Sequence, residues 1–257
     1  MTVFSQTQPI YAQIDSRSSN LSNLNIKGID NASSAGSYTL GGNQNLIKYS
    51  FNGNVALTVV SSSATDISSS TGAKKITVTG LFCDTNDSNK YKPRKAIYTL
   101  NGTTNVTTAS TGTNSFAVIN FVEVTSFGTS NNNVGNIKIM ATGALSNIYG
   151  FIPAGFGESH IFSFGVSERQ KLLVSNLHLT STMQSAFLLE IFQQNLNSGF
   201  KKLITKIPIT GDTSHIIIPL NVLIPPHNLI YGNISHLETV VGTNIISATV
   251  ESVLVSS

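Results

Sequence analysis

From Ser37 onward, apolar and polar positions alternate with a period of two in short runs, each closed by Gly, Asn, Ser or Pro. "KKITVTGLF" sets Ile76, Val78 and Leu81 against Thr77 and Thr79, the pattern of a strand with one dry face and one wet face. "IISATVESVLV" places Ile246, Ala248, Val250 and Val253 between small or polar residues, which predicts a two-faced closing strand. The other runs are SYTL, NLIKYSF, VALTVVS, RKAIYTL, NSFAVINFVEVTS, GNIKIMAT, NIYGFIP, SHIFSFGV, KLLVSNLHLT, SAFLLEIFQQ, LITKIPI, SHIIIPL and LIYGNIS. "QSAFLLEIFQQNL" also has helical spacing at Phe187, Leu188, Ile191 and Phe192, but its β-branched and aromatic surroundings favour a strand. Roughly fifteen strands at such intervals predict an all-β fold: an antiparallel β-sandwich of jelly-roll type, either single or made of two packed β-domains.

The rhythm suggests a division of the chain. Residues 1–35 are polar and weakly periodic and read as an N-terminal arm. Residues 36–142 read as an N-terminal β-domain or the first part of the sandwich. Small residues in "ATGALSN" then interrupt the pattern, and 143–257 read as a C-terminal jelly-roll-like sandwich of about eight strands. The polar "SSSATDISSSTG" lies between two strands and reads as a connection inside a β-domain.

Composition narrows the function. Apolar residues make up 40% of the 257 and charged ones only 11%, so Ser, Thr, Asn and Gln must cover much of the surface, as suits a chain that lives in an assembly. The net charge of +3 gives no field that argues for nucleic acid as a main partner. Cys83 is the single cysteine, which excludes an internal disulfide framework and a two-thiol metal site within one chain. No basic and apolar leader opens the sequence and no apolar run of about 18 residues occurs, so a chain made inside the cell without a membrane span is expected. Asn20, Asn31, Asn86, Asn101, Asn105 and Asn233 stand in glycosylation sequons, but Asn, Ser and Thr are so frequent that chance supplies as many.

Candidate chemistry is sparse. "TGAKK" lacks the spacing of a phosphate loop, since Gly72 is followed by Ala73, Lys74, Lys75 and a strand. His160, His178, His215, His227 and His236 form no metal-ligand motif, and His178 inside "LLVSNLHLT" reads as a core or sheet-face histidine. Asp212 and His215 are neighbours in "GDTSH", which reads as a hairpin turn rather than part of a catalytic triad, because no nucleophile elbow accompanies them. The acids Asp66, Asp84, Asp87, Glu123, Glu158, Glu190 and Glu251 show no pairing for glycoside hydrolysis. No catalytic, cofactor-binding or metal residue is assigned. "NKYKPRK" gathers Lys90, Tyr91, Lys92, Arg94 and Lys95 into a candidate interaction loop, with a plain solvated loop as its other reading. Gly72, Asn101, Gly102 and Gly135 are candidate structural turns, Asn101-Gly102 being a strong hairpin signal.

Laid end to end, "TVVSSSATDISSSTGAKKITVTGLF", "YTLNGTTNVTT" and "NSFAVINFVEVTSFGTSNNNVGNIKI" resemble a pattern in virion structural proteins of tailed phages, of large algal and protist DNA viruses and of their satellite viruses. The matching residues are Asp66, Thr71, Gly72, Ala73, Leu100, Asn101, Gly102, Thr103, Phe116, Gly135 and Ile137. "FIPAGFGES", "PLNVLIPPHNLIYGNIS" and "ISATVESVLV" are similar to the closing strands of the same class. "CDTNDSNKYKPRK" departs from the pattern, which has a shorter connection there. The resemblance implies a non-enzymatic penton or minor capsid protein of a double-stranded DNA virus, without cofactors. It also implies self-assembly into pentamers or, alternatively, trimers, docking to major and minor capsid proteins, and a place in the virion after assembly inside the host cell. The alternative is a receptor- or glycan-binding β module of a tail or fibre.

Overall fold

The computed structural model describes residues 21–32, 37–39, 48–84, 86–159, 161–181, 186–209, 213–236 and 244–256. Its strands are β1 (Leu21–Ala32), β2 (Ser37–Thr39), β3 (Ser50–Ser61), β4 (Ala73–Asp84), β5 (Asp87–Thr99), β6 (Ser115–Phe127), β7 (Ile137–Ala141), β8 (Ala144–Ile152), β9 (Ser163–Gly165), β10 (Gln170–Ser181), β11 (Phe187–Asn195), β12 (Lys201–Ile209), β13 (Thr213–Ile224), β14 (Asn228–His236) and β15 (Asn244–Ser256). The fold is all-β, with every ladder antiparallel. The stretch with helical spacing is strand β11: Phe187, Leu189 and Ile191 alternate into the core, and the period of two wins over the period of 3.6.

A four-stranded sheet, β1-β15-β10-β13, faces a five-stranded one, β12-β11-β14 with β2 and β9 both on the free edge of β14. Their pairing is nested: β1 with β15, β2 with β14, β10 with β13 and β11 with β12. A long antiparallel ribbon rolled on itself gives this nesting, and the roll adds the ladders β10·β15 and β11·β14. The result is a jelly roll of eight strands in two Greek keys. Between the sheets, Leu172, Val174, Leu177, Leu179 and Val250 from one side meet Phe187, Leu189, Ile191, Ile230 and Ile234 from the other, all fully buried. Burial of such side chains is the main stabilising term, about 1.5–3 kcal/mol each.

The other six strands leave the roll from within a single edge. β2 pairs Thr39 with Asn233 of β14, and β9 pairs Ser163 with Tyr231 on the same edge and in the same direction. β2 and β9 are therefore two pieces of one edge strand. Between them the chain builds the sheet β5-β4-β6-β3-β7-β8. This sheet curls: β6 pairs with β3 at Phe116 and Val55, while further along it Val124 N donates to Gly157 O at 2.7 Å and Ser159 N to Val122 O at 2.8 Å. Leu57, Val59, Ile76, Val78, Tyr98, Phe116, Val122, Ile137, Ile139 and Ile152 fill its separate core.

A smaller cluster joins the two units. Leu81, Tyr91, Ala117 and Val118 from the inserted sheet pack with Leu229 and Tyr231 from β14. Tyr49 OH lies 2.7 Å from Gly232 O and 2.6 Å from Asn233 Oδ1. The junction is thus apolar at its centre and hydrogen-bonded around it.

The pairing corrects the expected division. Residues 21–32, placed in a polar arm, form β1 along β15, while residues 1–20 and 33–35 of that arm lie outside the described residues. The boundary expected at 142/143 falls in the tight turn of the β7–β8 hairpin, where Gly143 has φ 86°. Small residues there serve a turn, not a linker. Among the described residues no helix is long and apolar enough to cross a membrane.

Candidate functional site

The first half of β5 runs along the junction between the two units. Tyr91 is buried there, its ring 5.9 Å from that of His227, its OH donating to Leu196 O at 3.1 Å and its carbonyl accepting from Glu168 N at 2.8 Å. On either side of it Lys90 and Lys92 line a cleft of about 310 Å³ together with Glu168, Arg169 and His227. One wall belongs to the inserted sheet and the other to two turns of the roll.

Within this cleft charge is largely balanced. Lys90 Nζ lies 2.8 Å from Asp87 Oδ2 and Lys92 Nζ 2.5 Å from Asp84 Oδ2, while Arg169 Nε is 3.8 Å from Glu168 Oε1. The Lys92 bond, with a backbone bond from Asn86, holds the Asp84 carboxyl below the usual carboxylate range, and Asp87 raises Lys90. Such exposed pairs exchange partners readily, so the cleft can take a carboxylate or phosphate by swapping ion pairs rather than through an unopposed positive field.

His227 gives the cleft its most constrained group. It follows Pro225-Pro226 and takes φ 61°, a left-handed conformation uncommon outside glycine and asparagine. Two backbone bonds hold it there, His227 N to Val166 O at 3.0 Å and Leu196 N to His227 O at 2.8 Å. Its Nδ1 is buried without a hydrogen-bond partner. Burial pushes the imidazole below its ordinary value, against the opposing pull of Glu168 and Asp87.

Of the five residues expected to form an interaction loop, Lys90, Tyr91 and Lys92 meet at this cleft. Arg94 does not: its guanidinium carbon sits 3.7 Å from the centre of the Phe82 ring and Nη1 donates to Ser115 O at 2.7 Å. Lys95 is exposed further along the strand. The stretch is also not a loop, because residues 87–99 are strand β5, paired with β4 from Asp87 onward. Ladder hydrogen bonds and the Asp84 and Asp87 ion pairs satisfy a segment that looked solvated. Glu168, Arg169 and His227 carried no local signal, since turns distant in sequence bring them in.

The expected turn residues gather at the far end of the inserted sheet. Asp66 is fully buried, and its Oδ1 accepts from Ala73 N at 2.8 Å and Val134 N at 2.9 Å, its Oδ2 from Gly135 N at 2.8 Å and Ser61 Oγ at 2.6 Å. A side chain on Gly72 would strike Asp66 Oδ1, and one on Gly135 would come within 2.5 Å of Ser63 N, so both glycines are required by close approach. Asn101-Gly102 makes a turn, with Gly102 at φ 60° and its N donating to Asp66 O at 2.8 Å. That turn packs against the Asp66 loop instead of closing a two-residue hairpin. Nearby, the buried Asn133 donates to Gly135 O and Pro153 O, both at 2.8 Å, and accepts from Gly157 N at 2.9 Å. Polar side chains thus hold three loops rigid. The same end presents Phe127, Val134 and Phe156, which are 37%, 47% and 49% exposed.

No protein-family model and no curated protein matches the chain. Among solved structures it is similar to that of infectious bursal disease virus Gt strain, at 12% identity over 93% of this chain and 73% of that one, with a TM-score of 0.22. The VP2 subviral particle of the same virus gives 10% identity, 93% and 73% coverage and a TM-score of 0.22. A protein described as secreted, from Parabacteroides distasonis, gives 9% identity, 92% and 89% coverage and a TM-score of 0.19. Superpositions this loose carry no argument about function, and the strand pairing itself is the ground for the fold.

The remaining candidate residues are scattered. His160 and Asp212 lie outside the described residues, and the side chain of His236 is likewise outside them. Glu190 pairs with Lys206 at 3.2 Å, a rung between β11 and β12. Among the described residues no three His, Cys, Asp or Glu side chains gather into a metal cluster. His178, read as a core or sheet-face residue, lies on the outer face of the roll, where it meets His215 and Glu251.

Proposed function

We propose that the protein is a non-enzymatic structural component of a virion, a penton or minor capsid subunit whose jelly roll builds the shell and whose inserted sheet projects from it. The single observation that carries this reading is the complete nested pairing of an eight-stranded jelly roll whose interior is packed with aliphatic and aromatic side chains. Jelly rolls serve as capsid, lectin and cupin domains, and a roll filled by Leu, Ile, Val and Phe is built to be a wall rather than a ligand chamber. Low charge and a polar, Ser/Thr/Asn-rich surface fit a subunit that covers its faces with neighbours. A five-fold ring is the preferred arrangement, each interface joining one face of a subunit to a different face of the next.

Native mass spectrometry of the purified full chain tests the ring, with pentamers expected. A stable trimer would favour the second reading, a receptor- or glycan-binding module, for which the exposed Phe127 and Phe156 at the rigid loop end are the specific observation. Electron microscopy of particles carrying the protein tests its position, with density expected at the shell vertices. Density at a tail tip would overturn the penton reading.

A further inference from the structure

β10 sends Leu177 and Leu179 into the core of the roll, so His178 between them faces outward. On the neighbouring edge strand β13, His215 is exposed on the same face. His178 Nδ1 and His215 Nε2 stand 3.2 Å apart, with 20° between the ring planes. At the other end of the His178 ring, Nε2 lies 2.9 Å from Glu251 Oε1 on β15. At that distance the carboxylate is placed to hold a proton on Nε2. Asn176 Nδ2 fixes the carboxylate from its far side, donating to Glu251 Oε2 at 2.8 Å. Together with His178 it holds the Glu251 carboxyl below the usual range.

Three adjacent strands therefore converge on one point, each with a group suited to a metal. Imidazole nitrogens bind zinc at about 2.0–2.1 Å, which places two ligands of one ion roughly 2.9–3.4 Å apart for angles between a right angle and the tetrahedral value. The observed 3.2 Å falls inside that span. A carboxylate at one imidazole nitrogen keeps the proton there and leaves the lone pair on the other, which is the arrangement found behind metal-bound histidines. Here Glu251 faces Nε2, and Nδ1 faces His215.

We propose that His178 and His215 form a two-imidazole site for a borderline divalent transition-metal ion, Zn²⁺, Cu²⁺ or Ni²⁺, with Glu251 as the orienting carboxylate. The ion takes the place of the proton shared by the two nitrogens, and water completes its shell. Because β13 is an edge strand, held within its sheet by β10 alone, the ion staples the free edge of the roll to its interior. Oxygen-seeking ions such as Mg²⁺ are not suited to a nitrogen pair.

Titration calorimetry of the full chain with ZnCl₂ and with NiCl₂, alongside thermal melting, tests the site. One ion per chain and a raised melting temperature are expected, with no effect of MgCl₂. His215→Ala removes an exposed side chain and leaves the core intact, which circular dichroism checks. It should weaken binding more than tenfold and abolish the melting shift, while Glu251→Gln should weaken binding about tenfold. Absence of saturable uptake up to about 1 mM metal, or the same affinity in His215→Ala as in the parent, would overturn the proposal.

Discussion

Asn120 and Gly165 bond to each other twice across the junction: Asn120 Nδ2 donates to Gly165 O at 3.0 Å, and Gly165 N donates to Asn120 Oδ1 at 2.8 Å. One side-chain amide in β6 thereby mimics a strand partner for β9. Asn120→Ala should destabilise the protein by about 1–3 kcal/mol in urea titrations, because both backbone groups of Gly165 lose their partner. Gly165→Ala should have a similar effect by a different route, since an added methyl would sit 2.9 Å from Leu81 Cδ1 and 3.0 Å from Val118 Cγ1. No change in either variant would show that the junction is not held at this point.

The Asp66 carboxylate stabilises three loops through four donors, three of them backbone N–H groups. Asp66→Ala leaves those donors buried without an acceptor, at a penalty of about 1–3 kcal/mol for each. Chemical denaturation should show a loss of at least about 3 kcal/mol, and hydrogen exchange should accelerate first at Ala73, Val134 and Gly135.

Acid should weaken the protein through His227. Its folded imidazole takes a proton only below the ordinary imidazole value, so as pH falls the unfolded chain is protonated first. The contribution is complete above the ordinary value and is lost as pH drops through it towards the lower, folded one. The Asp84 and Glu251 carboxyls, both held low, titrate in a more acidic window. His227→Asn keeps a residue that tolerates the left-handed backbone and removes the titration. Its urea midpoint should fall less over that range than the parent's, and an equal fall would exclude His227 as the source.

Phe156 and Val134 are exposed on the rigid loop end of the inserted sheet, away from the roll's own core. Phe156→Ser combined with Val134→Ser should leave the melting temperature within a few degrees of the parent, as surface changes usually do. If this end docks to a receptor, pull-down or cell binding should fall at least tenfold while the native mass stays that of the parent. If it instead lies between subunits, the native mass should fall to that of the monomer.

Features set by neighbouring residues are legible in the sequence. Ile76 and Val78 are buried, but so is Thr77 between them, and Leu81 reaches the junction cluster only past a bulge; Gly72 is needed for its close approach to Asp66 and Gly102 for its left-handed backbone. β1 leaves no local signature, because Leu21, Leu24, Ile26 and Ile29 do not keep a period of two and the strand depends on β15, more than two hundred residues away, for its ladder. SYTL and SHIFSFGV read as strands, but that their cores SYT and SFG form one interrupted edge strand shows only when β14 aligns them. The same holds for the meeting of His178 with His215, two isolated histidines 37 positions apart. In "NKYKPRK" the charges were visible and their direction was not: only the ladder with β4 turns Lys90 and Lys92 to the cleft and Arg94 onto Phe82.

Thr39 and Ser163 stand opposite Asn233 and Tyr231 of β14, so the chain departs and returns almost at the same place. The roll's own ladders use no strand of the inserted sheet. A lineage carrying this protein is free to exchange the whole inserted sheet for another, or to lose it for a short turn, while the roll stays in register. Change in the inserted sheet and constancy in the roll are, on this architecture, separable inheritances.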